Sequence, residues 1–184
     1  LGRFGRALAT TLTRLGNEVL GVDASPKVVQ ACALDLTHVV QADATDVEAL
    51  RQLGAADFGR AAVTIGTDIQ ASILTTYALV DLGVPRIWAK AVTAEHGAIL
   101  QRVGATHVVF PEIDMGERVA HTMVGRTIDY VELDEDFVLI ETTTPRELTG
   151  QTLKVAGLRR RYGVTVVAVK TPGDPFTYAT PETV

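Results

Sequence analysis

The sequence predicts an α/β fold, a doubly wound parallel sheet followed by a small α+β module. Two observations predict it. Short apolar runs alternate with amphipathic helical patterns as far as about residue 110, and consecutive parallel strands need right-handed helical crossovers. Beyond residue 110 the alternation stops, and the C-terminal stretch holds too few elements to bury a core of its own.

Taken in order, Phe4, Leu8, Leu12 and Leu15 fall at helical spacing over 4–15, and Gly16 closes that helix. Val19-Leu20-Gly21-Val22 is an apolar strand ending at Asp23. Ser25-Pro26 opens the next helix with a cap and a first-turn proline. His38–Gln41 is a strand, and Thr45-Asp46-Val47-Glu48 opens a helix that stops at Gly54. Ala61–Ile65 is a strand, and a long helix from Ile69 to Leu82 stops at Gly83. Arg86–Ala89 is a strand, Ala94–Val103 a helix, and His107–Phe110 the last strand of the series. A further helix is expected over Ile113–Arg126, a strand over Phe137–Thr144, a helix over Leu153–Tyr162 and a strand over Val164–Val169. The expected units are 1–112, 113–128 and 129–184.

Composition narrows the function classes. Of 184 residues, 47% are hydrophobic and only 5% aromatic, so the core is built from Ala, Val, Leu and Ile. The formal net charge is −5 with no basic stripe, which argues against nucleic acid as a partner. The one cysteine, Cys32, forms no internal disulfide and reads as a small core residue. No apolar run approaches the roughly 20 residues of a membrane span, so a role in a membrane process is exercised from the side, without insertion. Leu1-Gly2-Arg3-Phe4-Gly5 reads as the middle of a motif. A strand is expected before it, and the C-terminal module is expected to be incomplete.

The residues that bear chemistry gather at the ends of the predicted strands. Gly2-Arg3-Phe4-Gly5 supplies the second and third glycines of a G-x-G-x-x-G loop, as in a Rossmann-like fold. The second lets backbone approach a pyrophosphate, the third lets helix pack on strand, and the helix N-terminus offers free N–H groups. Asp23 ends the second strand about 20 residues on, where a carboxylate accepts hydrogen bonds from the ribose hydroxyls of an adenine nucleotide and disfavours a 2′-phosphate. Asp43 follows the third strand, near the expected adenine edge. Gly66-Thr67-Asp68 follows the fourth, with Asp68 either capping the loop or meeting ligand. Arg3 either reaches terminal phosphates or forms a surface salt bridge. Lys90 and Glu112 follow the fifth and sixth strands, and Lys90 either neutralises phosphate or pairs with a neighbouring acid.

A hydride-transfer enzyme needs a proton-transfer group and a substrate cleft. His38, His96, His107 and His121 are scattered, and no Tyr-x-x-x-Lys is present. An NAD-dependent oxidoreductase fragment is therefore the alternative reading. A methyltransferase is a third, whose usual G-x-G-x-G loop Gly2-Arg3-Phe4-Gly5 does not follow.

Gly2-Arg3-Phe4-Gly5, Val19-Leu20-Gly21-Val22-Asp23 and Ala42-Asp43-Ala44-Thr45 are similar to the N-terminal lobe of RCK domains, the regulators of potassium conductance. Ile65-Gly66-Thr67-Asp68-Ile69-Gln70-Ala71-Ser72, Ile87-Trp88-Ala89-Lys90-Ala91 and Pro111-Glu112-Ile113-Asp114-Met115-Gly116 resemble the Ktr/Trk type, and Leu158-Arg159-Arg160-Arg161-Tyr162-Gly163 resembles its C-terminal lobe. The resemblance implies a cytoplasmic gating subunit that is not an enzyme, peripheral to the inner face of the cell membrane. It implies ATP or ADP, or else NAD or NADH, in the N-lobe, with Gly2, Arg3, Phe4, Gly5, Asp23, Ser25, Asp43, Ala44, Thr45, Gly66, Thr67, Asp68, Lys90 and Glu112 as contact residues. It also implies a homodimer formed through the helix at 113–126, an octameric ring, and a membrane K+-translocating subunit as partner. Arg3 would reach the terminal phosphate of ATP, Glu112 a divalent cation such as Mg2+, and residues around Arg159, Arg160 and Tyr162 cyclic di-AMP. For the Arg159–Arg161 run itself, a solvated helix face stays open beside phosphate recognition.

Overall fold

The computed structural model describes residues 1–124, 127–134 and 136–184. These divide into two compact units, 1–117 and 118–184.

In the first unit helices and parallel strands alternate as the sequence predicts. The elements are α1 (Arg3–Arg14), β1 (Leu20–Asp23), α2 (Pro26–Cys32), β2 (His38–Gln41), α3 (Val47–Gln52), β3 (Ala61–Val63), α4 (Ile69–Asp81), β4 (Ile87–Lys90), α5 (Ala94–Val103) and β5 (His107–Val109). β1 pairs with β2 in parallel, with Val22 opposite Val40. β3, β4 and β5 form a second parallel group, with Val63 opposite Ala89 and Ala89 opposite Val108. The two groups are separate hydrogen-bonded sheets. In the strand order 3-2-1-4-5-6 they correspond to the flanks 3-2 and 4-5-6.

Local chemistry explains the element ends. Gly16, Gly54, Gly83 and Gly104 all adopt positive φ, the left-handed turn that closes a helix. Asp46, Asp68 and Thr93 accept backbone N–H groups at the starts of α3, α4 and α5. The last strand stops one residue earlier than expected because the Phe110 carbonyl accepts from Ile113 and Asp114 N–H, so it already belongs to the next helix. That helix, α6 (Pro111–Val124), starts two residues before the expected position. Pro111 suits a first helical position, and Glu112 and Asp114 suit its first turn. Gly125 and Arg126, where the expected helix ended, lie outside the described residues.

The main core lies between the helices and the β3–β5 group. Leu50, Val63, Leu79, Val84, Ile87, Ala89 and Leu100 are buried together there. Ala9, Cys32 and Leu36 form a smaller cluster beside β1 and β2, so Cys32 is the core residue expected of it.

The second unit departs further from expectation. β6 (Thr127–Asp134) pairs antiparallel with β7 (Phe137–Thr142), with Tyr130 opposite Ile140 and Val131 opposite Leu139. β6 has no counterpart among the expected elements. Its Asp and Glu residues mask the alternation, and pairing with β7 stabilises it. The single helix expected over Leu153–Tyr162 is two short ones, α7 (Leu153–Ala156) and α8 (Leu158–Tyr162). Gly157 between them has φ +59 and ends the first. The expected strand at Val164–Val169 shrinks to β8 (Ala168–Val169), paired with β9 (Thr177–Tyr178).

Leu100 is fully buried and Leu34 is 99% exposed. Leu100→Ala should therefore cost about 2–5 kcal/mol of unfolding free energy, and Leu34→Ala no more than about 0.5 kcal/mol, both read by urea denaturation.

Candidate functional site

The carboxyl ends of the five parallel strands carry nearly all the residues singled out from the sequence. Why they gather starts with α1. Gly5 is buried, and a Cβ on it would overlap the Thr64 hydroxyl and lie 3.2 Å from Thr64 Cβ. Thr64 directly follows β3. Only a glycine lets α1 lie this close, and that approach sets its N-terminus at the strand ends. Gly2, the N-cap, has nothing within 4 Å of where its Cβ would stand, so its outer side is open. No side chain caps α1 and no acid lies in its first turn. Its first N–H groups are thus left for an external acceptor.

Asp23 ends β1 beside this helix start. Its Oδ2 accepts from the Leu1 amino group at 2.6 Å and its Oδ1 from the Ser25 N–H at 2.8 Å. A carboxylate has about four acceptor positions, and the Ser25 N–H fills one, so Asp23 keeps positions for hydroxyl donors. The Ser25 hydroxyl makes no capping bond to α2.

On the other flank, Lys90 ends β4. Its ammonium lies 2.5 Å from Glu112 Oε1 in the first turn of α6, and its Nζ lies 3.1 Å from the Cβ position of Gly66. Gly66 thus leaves room for the lysine to cross the loop after β3. The Lys90 side chain is 11% exposed and that of Glu112 66%. The Lys90 hydrogen bond holds the Glu112 carboxyl below its ordinary range, helped by its own backbone N–H and by the charges of Lys90 and Arg3. Arg3, Lys90 and Glu112 therefore form one electrostatic group. Among the open readings of Lys90, pairing with an acid is what the structure displays.

Asp43 and Asp68 are occupied locally. Asp43 Oδ1 accepts from the Thr45 N–H at 2.9 Å and the Thr45 hydroxyl at 2.7 Å, and these bonds lower its pKa. Asp68 Oδ1 accepts from Ala71 N–H at 2.9 Å as the cap of α4. Ala44 packs against the main core, so what it offers outward is backbone. Thr67 is exposed in the loop after β3, and Phe4 is half-buried on α1. Sequence reading missed Thr64. The signal was available, because the third glycine of such a loop must face a strand residue, and Thr64 closes the apolar run at Ala61–Val63.

Residues 1–111 match the family model described as TrkA-N domain. The chain belongs to the TrkA-N domain family. Relatives carry the match further. Ktr system potassium uptake protein A of Bacillus subtilis is 37% identical over 99% of this chain and 82% of its own length. Ktr system potassium uptake protein C of the same organism is 41% identical over 92% of this chain and 77% of its own length. Among solved structures, the GsuK channel bound to NAD superposes with a TM-score of 0.70 at 20% identity, covering 97% of this chain and 33% of that one. The TrkA-N domain of the inner membrane protein YbaL from Escherichia coli gives 0.60 at 18% identity, over 67% of this chain and 91% of that one. The resemblance to Ktr/Trk-type RCK proteins drawn from the motifs is borne out, and so is the parallel α/β fold of this TrkA-N chain.

Two absences are confined to the described residues. No group of three or more His, Cys, Asp or Glu is placed to hold a metal, and no helix is long and apolar enough to cross a membrane. His96 is buried, its Nδ1 accepts from Val92 N–H at 3.4 Å, and burial lowers its pKa. His107 stacks on Trp88 at 4.5 Å. In the second unit a cavity of about 310 Å3 is lined by Lys154, Leu158, Arg159, Val164 and Pro181 among others, and Arg160 and Tyr162 are not in its wall.

Gly5→Ala should lower stability by about 1–3 kcal/mol in thermal or urea unfolding, because the new methyl meets Thr64. Adding Thr64→Ala, which removes the hydroxyl, should recover part of that loss.

Proposed function

We propose that this chain is the nucleotide-binding regulatory subunit of a bacterial potassium-uptake system, controlling a membrane K+-translocating partner from the cytoplasmic face. The observation that carries the reading is the likeness to the Ktr uptake proteins A and C along nearly the whole chain. The geometry of the strand ends supplies the chemistry. An uncapped helix start faces an open glycine, a carboxylate stands beside it, and two cationic side chains lie close by.

The ligand is an adenine nucleotide, ATP or ADP, with NAD or NADH as the alternative. Asp23 takes the ribose hydroxyls, with Ser25 N–H holding the carboxylate in place. Gly2, Arg3, Phe4 and Gly5 present their N–H groups to the phosphates. Asp43, Ala44 and Thr45 form the ordered turn at the adenine edge, and Gly66, Thr67 and Asp68 the loop opposite. Arg3 and Lys90 supply positive charge to the outer phosphates. A Mg2+ ion is commonly held by one or two carboxylates, substrate phosphates and water. Glu112, exposed at the edge of this group, fits as such a single carboxylate, and the cation it would hold would help neutralise phosphate charge. The stretch before α6 is the nucleotide lobe, α6 the crossover and dimerisation helix in place of the expected 113–128, since β6 already begins at Thr127, and the stretch from β6 onward the C-lobe. Assembly is a homodimer building an octameric ring, and cyclic di-AMP would bind the C-lobe at a dimer interface, around Arg159, Arg160 and Tyr162.

A ligand shifts such a ring only by binding its states unequally. ATP carries one more phosphate than ADP, and Arg3 is the side chain placed to read it. Isothermal titration calorimetry with ATP, ADP and NAD tests this. Asp23→Asn should weaken every adenine nucleotide about tenfold or more, since it removes a charge-assisted pair of hydrogen bonds. Arg3→Ala should reduce the preference for ATP over ADP while leaving ADP nearly unchanged. Equal affinities for the unmodified chain and Asp23→Asn would contradict the site, and an unchanged ATP preference would remove Arg3 as the sensor.

A further inference from the structure

The Lys90–Glu112 pair is asymmetric, and the asymmetry has a use. Lys90 is nearly buried, fixed on β4 and wedged over Gly66, so its ammonium cannot retreat to water. A buried ammonium needs an anion. Glu112 is two-thirds exposed and lies on the first turn of α6, so its carboxylate swings away at little cost. Exposed partners of this kind contribute weakly to stability. Arg3, at the uncapped start of α1, acts on the same carboxylate. The Glu112 carboxylate is therefore held by the Lys90 ammonium and feels the Arg3 charge, and two such cations suit phosphate.

We infer that Glu112 is a resident counter-ion: without ligand its carboxylate satisfies Lys90, and the outer phosphate of a nucleotide displaces it. The inference rests on the nucleotide reading of this site and adds a competition to it. Phosphate takes over Lys90 and Arg3, and the Glu112 side chain is released from β4. The first turn of α6 then loses its tie to the strand ends, so ligand binding and the freedom of α6 are coupled. The released carboxylate is also the one available to a divalent cation.

The test is calorimetry with ATP, and in parallel inorganic tripolyphosphate, in the presence of EDTA so that no cation bridges. Glu112→Gln removes the competitor and keeps the shape. It should tighten both ligands by about two- to fivefold, the worth of an exposed ion pair. Lys90→Met should weaken both, and adding Glu112→Gln to Lys90→Met should then give no tightening. Amide exchange over residues 112–116 should speed up when ATP binds. The inference is overturned if Glu112→Gln leaves affinity unchanged or weakens it, or if it tightens equally with Lys90→Met present, which would indicate plain charge repulsion. Tripolyphosphate separates the two readings. Binding of tripolyphosphate but not ATP, with the same pattern in the variants, removes the nucleotide and keeps the exchange. Failure of both to bind removes both.

Discussion

The close approach of α1 to the end of β3 is the constraint on which the site depends. Gly5 against Thr64 leaves no room for a side chain, and this fixes a helix N-terminus at the carboxyl edge of a parallel sheet. Topology supplies the remainder. Parallel strands deliver all their C-terminal ends to one edge, so Asp23, the turn at Asp43, the loop at Gly66, Lys90 and Glu112 arrive there from different stretches of chain.

Electrostatics then divides the edge. On the β1 side the Asp23 carboxylate is held by the Ser25 N–H and keeps free acceptor positions, which suits hydroxyl groups. On the β4 side the largely covered Lys90 ammonium pairs with one exposed carboxylate that also feels the Arg3 charge, which suits phosphate. A nucleotide has this same division, a sugar with hydroxyl donors and a tail with negative charge. Asp43 and Asp68, by contrast, hold their own loops in shape.

Much of this was legible in the sequence. The alternation of apolar runs and helical patterns named the parallel strands and α-helices of the first unit to within two or three residues, because most of them carry a local signal in a closing Gly, a capping Asp or Thr, or a first-turn Pro. The glycine loop and Asp23 were legible because their spacing is set by one strand and one helix. What the sequence did not carry depends on partners distant in the chain. β6 is stabilised by β7 and has no pattern of its own, and Gly157 splits a helix whose periodicity runs on through it. The sequence left Lys90 open between phosphate and a neighbouring acid, and its contact with Glu112 comes from an element 22 residues away that no local pattern announces.

The central claim is that the start of α1 and Asp23 hold one adenine nucleotide between them. Following backbone amide resonances of the isotopically labelled chain during ADP addition tests it most directly. The account predicts saturable shifts that are largest at Gly2, Arg3, Phe4, Gly5 and Ser25, with Leu100 and the β6–β7 hairpin little changed. No shifts at millimolar ADP, or shifts centred away from α1 and β1, would contradict it.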